Sequence, residues 1–515
     1  MPSTATELVR FDGSPLAIED IVALAWRRKA AELAGDPGFR QRIDRGAAFV
    51  DRLLAEDGVI YGVTTGFGDS CTVSIPPELI AELPRHLYSY HGVGTGEWLS
   101  REETRAVLAA RLSSLAQGYS GVSWALLRAL ADLLRHDLLP RIPAEGSVGA
   151  SGDLTPLSYV AAVLCGERQV WQPQGGACPA ADALAAAGLE PLRLRPKEAL
   201  AIMNGTSVMT GLACLAWARA AYLGRLCTRL TALASVALDG NAHHFDAQLF
   251  AVKPHPGMGR VAAWLRADLG SEPTPRNERR LQDRYSVRCA PHVIGVLEDA
   301  LPSLRALIEN ELNSANDNPL IDPVGERVLH GGHFYGGHIA YAMDSLKNLV
   351  ANLADLLDRQ CALLVDARYS HGLPSNLSGA VGPRASINHG LKALQISVSA
   401  WTAEALKLTM PASVFSRSTE CHNQDKVSLG TIAARDCLRV LQLSEQVAAA
   451  ALIFVRQAVA LRLQLRQGLT LRPPLAAMHA DLEARIPFID EDRALDGTLV
   501  ALVAALQGED WRLYD

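Results

Sequence analysis

Apolar residues recur at helical spacing over most of the chain. One set is Leu108, Leu112, Leu115, Leu126, Leu127, Leu130, Leu133 and Leu134, and a later set is Leu346, Leu349, Val350, Leu353, Leu356 and Leu357. The later set occupies positions i, i+3, i+4, i+7, i+10 and i+11, which lie on one face of an α-helix. It predicts a long helix ending near residue 366, and another is predicted over about 391–408. The chain is therefore predicted to be mainly α, with long helices packed through their apolar faces.

Glycine-rich and polar segments interrupt this pattern. Residues 1 to about 60 are predicted to be helical with short polar breaks, and 59–68 (VIYGVTTGFG) to be a loop because it contains three glycines. Residues 172–197 are predicted to form a surface excursion, and 273–284 an exposed polar segment. At 310–319, seven polar residues in ten end in Asn-Pro, which indicates a helix end and a turn.

The composition excludes several classes of partner. Hydrophobic residues make up 49% of the 515 residues, enough for a large core, whereas aromatic residues make up only 6%. The formal net charge is −6, so no basic surface for nucleic acid or an anionic membrane is predicted. The longest apolar run, 447–455, ends at Arg456 and is too short to span a bilayer.

The cysteines and the N-terminal sequence predict a cytoplasmic protein. The nine cysteines are widely scattered and none forms a C-x-x-C pair, which favours reduced thiols. Residues 1–7 have neither the basic nor the apolar region of a signal peptide.

The sequence GASGDLTPL at 149–157 is the candidate for unusual chemistry. Small residues lead into a predicted helix, with Thr155 as its N-cap and Pro156 at its first position. The run is interpreted in three ways. The first is a simple turn. The second is a serine nucleophile elbow, but its G-x-S-x-G motif requires a glycine at the position that Asp153 occupies, so this interpretation is disfavoured. The third is a backbone segment that reacts with itself.

The third interpretation depends on a glycine nitrogen. The nitrogen of Gly152, unhindered by a Cβ atom, could attack the carbonyl carbon of Ala150. Loss of water there and at Ser151 would leave a five-membered ring with an exocyclic methylidene. Such a ring is a carbon electrophile, which the twenty ordinary side chains lack.

These residues resemble the signature of the aromatic amino acid ammonia-lyases and aminomutases. In that family Ala-Ser-Gly, here Ala150-Ser151-Gly152, forms the methylidene-imidazolone (MIO) group autocatalytically, without a metal or nucleotide cofactor. Further matches occur in order from Tyr61 to Asp425 and cover most of the chain. The resemblance implies the long-helix bundle of the ammonia-lyase and fumarase-aspartase type, a homotetramer, and several helix N-termini converging on the MIO. We divide the chain into an N-terminal region with the active-site loop and the triad, 1–205, and a long-helix bundle with C-terminal helices, 206–515.

The resemblance also implies roles for individual residues. Tyr61, in the glycine-rich loop, is the expected base for the β-proton, with its phenolate stabilised by the field of helix termini. Arg288 is expected to hold the substrate carboxylate, and Tyr285 to lie beside the MIO. Asn204 is expected to bind substrate near the MIO, or to cap the helix that follows, or both. The remaining expected substrate-binding residues are Tyr90, His91, Gln282, Phe334 and Gln424.

Two positions bear on how closely the family pattern applies. His333 replaces the Asn of the family's Gly-Gly-Asn-Phe, and at Glu420 family members vary between Glu and a neutral residue. The cluster of histidines at 330–338 has neither the spacing nor the cysteines of a metal site, so no metal is predicted.

The substrate is predicted from the ring-side residues. Tyr90 and His91 are polar, and Gln424 replaces the Glu that histidine-specific members carry, so L-tyrosine, giving p-coumarate, is the first choice. L-Histidine, giving urocanate, is the alternative. A tyrosine or phenylalanine 2,3-aminomutase would use the same residues. A non-catalytic helical assembly protein is the fourth possibility, with His333 as the main feature in its favour.

Overall fold

The computed structural model describes residues 7–56, 58–272, 274 and 280–514. The N-terminal segment 1–6 and most of the polar stretch 273–279 therefore lie outside the described residues. Arg280, Leu281 and Gln282, at the end of the predicted polar segment, are exposed.

The described chain is mainly α, as predicted. Its helices are α1 Ile18–Ala25, α2 Pro37–Ala55, α3 Leu83–Tyr90, α4 Arg101–Ala116, α5 Trp124–Arg135, α6 Leu154–Leu164, α7 Ala180–Ala186, α8 Glu198–Met203, α9 Ser207–Ala237, α10 Ala247–Ala251, α11 Pro256–Leu269, α12 Tyr285–Arg288, α13 Ala290–Leu312, α14 Gly337–Val365, α15 Lys392–Lys407, α16 Gly430–Leu465, α17 Pro473–Arg485 and α18 Asp496–Gln507. The predicted helices near 346–366 and 391–408 are confirmed as α14 and α15. Their apolar residues at helical spacing include Leu346, Val350, Leu353 and Leu357, which are buried.

Within the described residues, the strands are short and form four two-stranded sheets. They are β1 Leu8–Phe11 with β2 Ala30–Leu33, β3 Thr95–Trp98 with β4 Pro143–Glu145, β5 Gln169–Trp171 with β6 Ala177–Pro179, and β7 Leu320–Asp322 with β8 Arg327–Leu329. Only β1 and β2 are parallel, paired from Leu8 with Ala30 to Phe11 with Leu33. The predicted all-helical start is therefore wrong at β1 and β2. In β1, Val9 and Phe11 are buried and alternate with exposed residues, which is the period of a strand.

The described chain divides into two compact units that are discontinuous in sequence. The first comprises 1–218, 305–344 and 411–435, and the second comprises 219–304, 345–410 and 436–515. Four of the five boundaries fall within α9, α13, α14 and α16, and the fifth, at 410/411, follows α15. The sequence-based division at residue 205 stays a prediction.

Helix α16 contains a long and strongly apolar stretch. Gly430–Leu465 is long and apolar enough to cross a membrane, but 83% of its most apolar stretch is buried inside the protein. This burial is typical of a core helix, and the helix carries Arg456 and Arg462 within its buried part.

Candidate active site

The triad Ala150-Ser151-Gly152 lies in a tight loop between β4 and α6. Gly149 and Gly152 have positive φ angles of 71° and 72°, which glycine adopts without strain. A Cβ atom at residue 152 would lie 2.2 Å from the carbonyl oxygen of Gly205, with which Gly152 forms a parallel β-bridge. Residue 152 therefore has to be glycine, both for its backbone angle and for the close approach of a second chain segment.

Asp153 connects the triad to the start of a long helix. Its carboxylate is fully buried and accepts hydrogen bonds from the backbone nitrogens of Val208 and Met209, each at 3.0 Å. It also accepts from the hydroxyls of Ser147, at 3.0 Å, and Thr431. Burial raises the pKa of Asp153, whereas these hydrogen bonds lower it. The carboxylate thus satisfies the free N–H groups at the beginning of α9 and orients the loop before it.

Two helix caps predicted from the sequence are wrong. Helix α6 begins at Leu154, so Thr155 lies inside it rather than capping it. Asn204 follows α8, and its Nδ2 donates to the carbonyl oxygen of Asn318 at 2.7 Å. The N–H groups at the start of α9 are bound by Asp153 instead. A hydrogen bond to an ionised acceptor is stronger than one to an amide, so the distant carboxylate takes the place of the local cap.

Tyr61 lies in a loop that is anchored on both sides. Ile60 and Val63 are buried in an apolar cluster with residues of α2 and β7. The loop, residues 61–75, closes through a β-bridge between Thr65 and Ser74. Since its flanks are fixed in the core, Tyr61 is held at a defined place although it belongs to a loop.

The surroundings of Tyr61 favour its protonated form. Its Oη accepts a hydrogen bond from the backbone nitrogen of Gly68 at 2.7 Å, which lowers the pKa. Burial has the larger effect and raises the pKa of Tyr61, as do the nearby Glu420 carboxylate and Cys71. The pKa of Tyr61 is thus raised overall, and stabilisation of its phenolate by helix termini stays a prediction.

Tyr90 and His91 lie together at the end of α3. Their ring centroids are 4.3 Å apart, with an angle of 35° between the planes. Nδ1 of His91 is 2.9 Å from the carbonyl oxygen of Leu87, so Nδ1 carries a proton and donates it. Burial lowers the pKa of His91 and raises that of Tyr90. At neutral pH His91 is consequently neutral, and its Nε2 is a hydrogen-bond acceptor.

Gln424 contacts the triad directly. Its Nε2 donates to Oγ of Ser151 at 3.3 Å, and its Oε1 accepts from Oγ1 of Thr419 at 3.0 Å. The donor side of the amide therefore faces the triad. Nearby, Oδ1 of Asn204 is buried and has no hydrogen-bond partner among the described residues.

Most of the predicted site residues line one cavity of about 990 Å³ in the first unit. Of the predicted residues, its lining includes Tyr61, Tyr90, His91, Ala150, Ser151, Asn204, Phe334 and Gln424. Gly152 does not line the cavity, because it packs against Gly205. Side chains separated by up to about 360 residues in sequence are thus brought to one cavity.

Gln282, Tyr285 and Arg288 are not among the residues lining this cavity. They belong to the second unit, where Tyr285 is 72% exposed and Gln282 is also exposed. Nε of Arg288 donates to the carbonyl oxygen of Asp283 at 3.0 Å, and its guanidinium lies 4.7 Å from the Tyr285 ring centroid.

The cavity wall includes residues that sequence reasoning did not assign to the site. They are Gly66, Phe67, Gly68, Ser70, Cys71, Leu87, Leu154, Leu200, Asn318, His330, Gly331, Asn423, Asp425 and Lys426, and Glu420 joins them. Some of them, such as Gly68, Leu154 and His330, belong to motifs that the sequence analysis names, but nothing in the sequence assigns these side chains to the cavity wall. His333, the departure from the family pattern, does not line the cavity. Within the described residues, no group of three or more His, Cys, Asp or Glu side chains could hold a metal ion.

Comparison with known proteins shows the class to which this site belongs. Residues 16–484 match the aromatic amino acid lyase family, and the chain belongs to that family. It is 37% identical to a histidine ammonia-lyase of Gloeobacter violaceus over 501 residues, which cover 97% of this chain and 95% of that one. A tyrosine aminomutase structure from Streptomyces globisporus has a TM-score of 0.89 at 33% identity, with 98% and 97% of the two chains covered. A histidine ammonia-lyase structure from Trypanosoma cruzi has a TM-score of 0.88 at 29% identity, with 98% and 94% covered.

The chain is accordingly a carbon–nitrogen lyase of the ammonia-lyase type, acting on an aromatic amino acid. The mainly α fold agrees with that of the related structures. Family membership, together with the shared cavity of Tyr61 and Ser151, argues against a non-catalytic assembly protein.

Proposed function

We propose that the protein eliminates ammonia from an aromatic L-amino acid whose ring carries a hydrogen-bond donor. The observation that carries this proposal is the state of His91 in the cavity that also contains Tyr61 and Ser151. His91 is neutral and donates through Nδ1 to Leu87, so Nε2 accepts from the ligand. His91 is half-buried in the cavity wall, and an acceptor that a bound ligand covers without pairing it is costly, which favours a ring with an O–H or N–H group.

L-Tyrosine is the first candidate for the substrate. Gln424 and Tyr90 are uncharged polar groups that suit a phenol, and the donor side of Gln424 already faces Ser151. The similarity to a solved tyrosine aminomutase supports a phenolic ring.

L-Histidine is the second candidate, and the names of the curated relatives favour it over L-tyrosine. Histidine ammonia-lyases of 34–37% identity align over most of the chain. An imidazole N–H would also donate to Nε2 of His91.

We propose that Ala150, Ser151 and Gly152 form the MIO, and their surroundings fit it. Gly152 has no room for a Cβ atom, the unpaired Oδ1 of Asn204 is buried beside the cavity, and Gln424 donates toward Ser151. A polar ring at this place would have both donors and acceptors around it. The MIO would supply the carbon electrophile that ordinary side chains lack.

The other residues of the site act on the substrate around that group. Tyr61 accepts the β-proton at Oη, where Gly68 already donates a hydrogen bond that favours the phenolate. Asn204 and Phe334 position the substrate against the triad, and His91 with Tyr90 fixes its ring. The apolar walls of Leu87, Leu154 and Leu200 limit access of water to the reacting atoms.

We further propose that Gln282, Tyr285 and Arg288 serve the cavity of another copy in a homotetramer. A substrate carboxylate needs a cation, and Arg288, which is half-buried beside the exposed ring of Tyr285, can supply it to a second molecule.

A complementation experiment tests this arrangement. Tyr61→Phe and Arg288→Ala are each expected to be inactive alone, and co-expression of the two is expected to restore part of the activity, because mixed oligomers contain sites with both residues intact. Co-expression of Tyr61→Phe with Ser151→Ala is the control and should restore none, since both residues line one cavity of one chain. Failure of the first pair to recover would contradict the shared site.

Product analysis distinguishes the candidate reactions. The purified protein is incubated separately with L-tyrosine, L-histidine and L-phenylalanine, and arylacrylate, β-amino acid and ammonia are quantified by mass spectrometry. p-Coumarate with free ammonia is expected. Urocanate would establish the histidine reaction, and a persistent β-amino acid would establish an aminomutase, the activity named for the Streptomyces relative.

Replacement of His91 tests the observation that carries the proposal. His91→Phe is expected to lower the preference for L-tyrosine over L-phenylalanine by at least about tenfold, because it removes the Nε2 acceptor proposed to pair with the substrate hydroxyl. The ratio of kcat/KM for the two substrates is the measurement. An unchanged ratio would show that Nε2 does not contact the ring substituent.

A further inference from the structure

Two loops of the cavity wall meet at a single carboxylate. Both oxygens of Glu420 accept from the backbone nitrogen of Asp69, at 2.9 and 3.2 Å. The same carboxylate lies directly against Gly68, where a Cβ atom would come within 2.3 Å of it. Gly68 has a φ of 59°, so its conformation and its lack of a side chain both permit this contact.

The turn that carries Glu420 has an unusual backbone. Glu420, Cys421 and His422 are three consecutive non-glycine residues with positive φ, 51°, 53° and 64°. Such a conformation is unfavourable for L-residues. The turn is closed at its base by an antiparallel bridge between Thr419 and Gln424. A strained backbone maintained by its surroundings often belongs to a functional site.

The same turn reaches the triad on its other side. Gln424 at its base donates to Ser151, while Glu420 at its tip holds Asp69. In the opposing loop, Gly68 donates its N–H to Oη of Tyr61, one residue before the N–H that Glu420 binds. The Gly68–Asp69 segment is thus fixed from two sides, by the expected base and by the turn.

We propose that Glu420 is a positioning residue that holds the segment 66–73 closed and thereby keeps Gly68 hydrogen-bonded to Tyr61. The carboxylate acts through the loop and not on the substrate. Its position couples the placement of Tyr61 to that of Ser151, because one short turn contacts both. This inference rests on the proposed role of Tyr61 as the base.

Hydrogen exchange in the substrate-free protein tests the structural part. Glu420→Ala is expected to increase the hydrogen-exchange rate of the backbone amides of 66–73 about fivefold. This is the effect of losing one hydrogen bond that contributes modestly to the stability of the closed loop. Glu420→Gln should stay near the wild type, because its amide oxygen can still accept from Asp69. Cys421→Ala is the matched control in the same turn and should leave exchange unchanged. Equal exchange in Glu420→Ala and the wild type would overturn the proposal.

Kinetics distinguish positioning from direct substrate contact. If Glu420 holds the loop, kcat falls in Glu420→Ala by a factor similar to the increase in exchange, and Glu420→Gln restores it. If instead Glu420 binds the substrate through its charge, Glu420→Gln and Glu420→Ala raise KM equally, and neither changes the exchange of residues 66–73. That result would refute the proposal. The exchange result needs no substrate, so failure of the proposed reaction would appear separately, as absence of product in the wild type.

Discussion

Ser151→Ala is expected to give a folded protein that forms no MIO and releases no ammonia from any amino acid. The hydroxyl of Ser151 is what leaves as water to create the methylidene, and alanine has none to lose. Its described contact is a 3.3 Å hydrogen bond from Gln424. The variant should therefore lose only about 1 kcal/mol of folding free energy, whereas turnover falls to background.

Intact mass and absorbance provide the measurement. The wild type should be lighter than its sequence by two water molecules and show the near-ultraviolet absorbance of the ring, and Ser151→Ala should show neither. Ser74→Ala, an exposed serine in the loop 61–75, is the control and should keep both signals. Persistence of the ring absorbance in Ser151→Ala would contradict the maturation scheme, and its absence from the wild type would leave the MIO proposal without support.

The triad could be predicted from sequence because its chemistry is local. Three consecutive residues, and a glycine nitrogen beside a serine, are enough to suggest the reaction. The structure adds the reason why Gly152 cannot be replaced, which is the approach of Gly205 from more than fifty residues away. The long helices were also predictable, because a periodic apolar pattern depends only on neighbouring positions.

The parts that were missed depend on contacts between distant residues. Thr155 and Asn204 have the right side chains for helix caps, but Asp153 supplies the cap of α9. Nothing in the sequence near residue 153 reveals that its partner lies at 208. Glu420 was recognised as a variable position, but its contact with Asp69, across 351 residues, could not be inferred. The short strands β1 and β2 were missed because four residues are too few to establish a period.

The order of motifs along the sequence does not reveal whether the residues of one active site come from one copy of the chain or from several. Gln282, Tyr285 and Arg288 match the family pattern, yet the structure places them in the second unit and outside the cavity wall. The cation for the substrate carboxylate belongs either to the same chain as the triad or to another copy. The complementation experiment distinguishes these two cases.

Tyr61→Phe is expected to retain the MIO and the fold but to lose turnover by about 10²–10⁴-fold, the usual contribution of a general base. Phenylalanine preserves the ring, and the neighbours Ile60 and Val63 keep the loop anchored in the core. The hydroxyl that accepts from Gly68 is the group removed. Tyr88→Phe, on the adjacent helix α3 and outside the cavity lining, loses a hydrogen bond to Glu167 and should stay within about twofold of wild-type activity.

The pH profile distinguishes a base from a merely structural tyrosine. Burial raises the pKa of Tyr61 above its ordinary value near 10, so the phenolate is the minor form at neutral pH. Since only the phenolate accepts the β-proton, kcat/KM of the wild type should rise with pH toward that pKa and should not show the plateau expected for a depressed pKa. Tyr61→Phe should show a low, flat profile over the same range. Near-normal turnover in Tyr61→Phe, or a kcat/KM that still rises with pH in this variant, would mean that another group removes the proton. Tyr90 lies in the same cavity wall and also has a raised pKa, so it would be the next residue to replace.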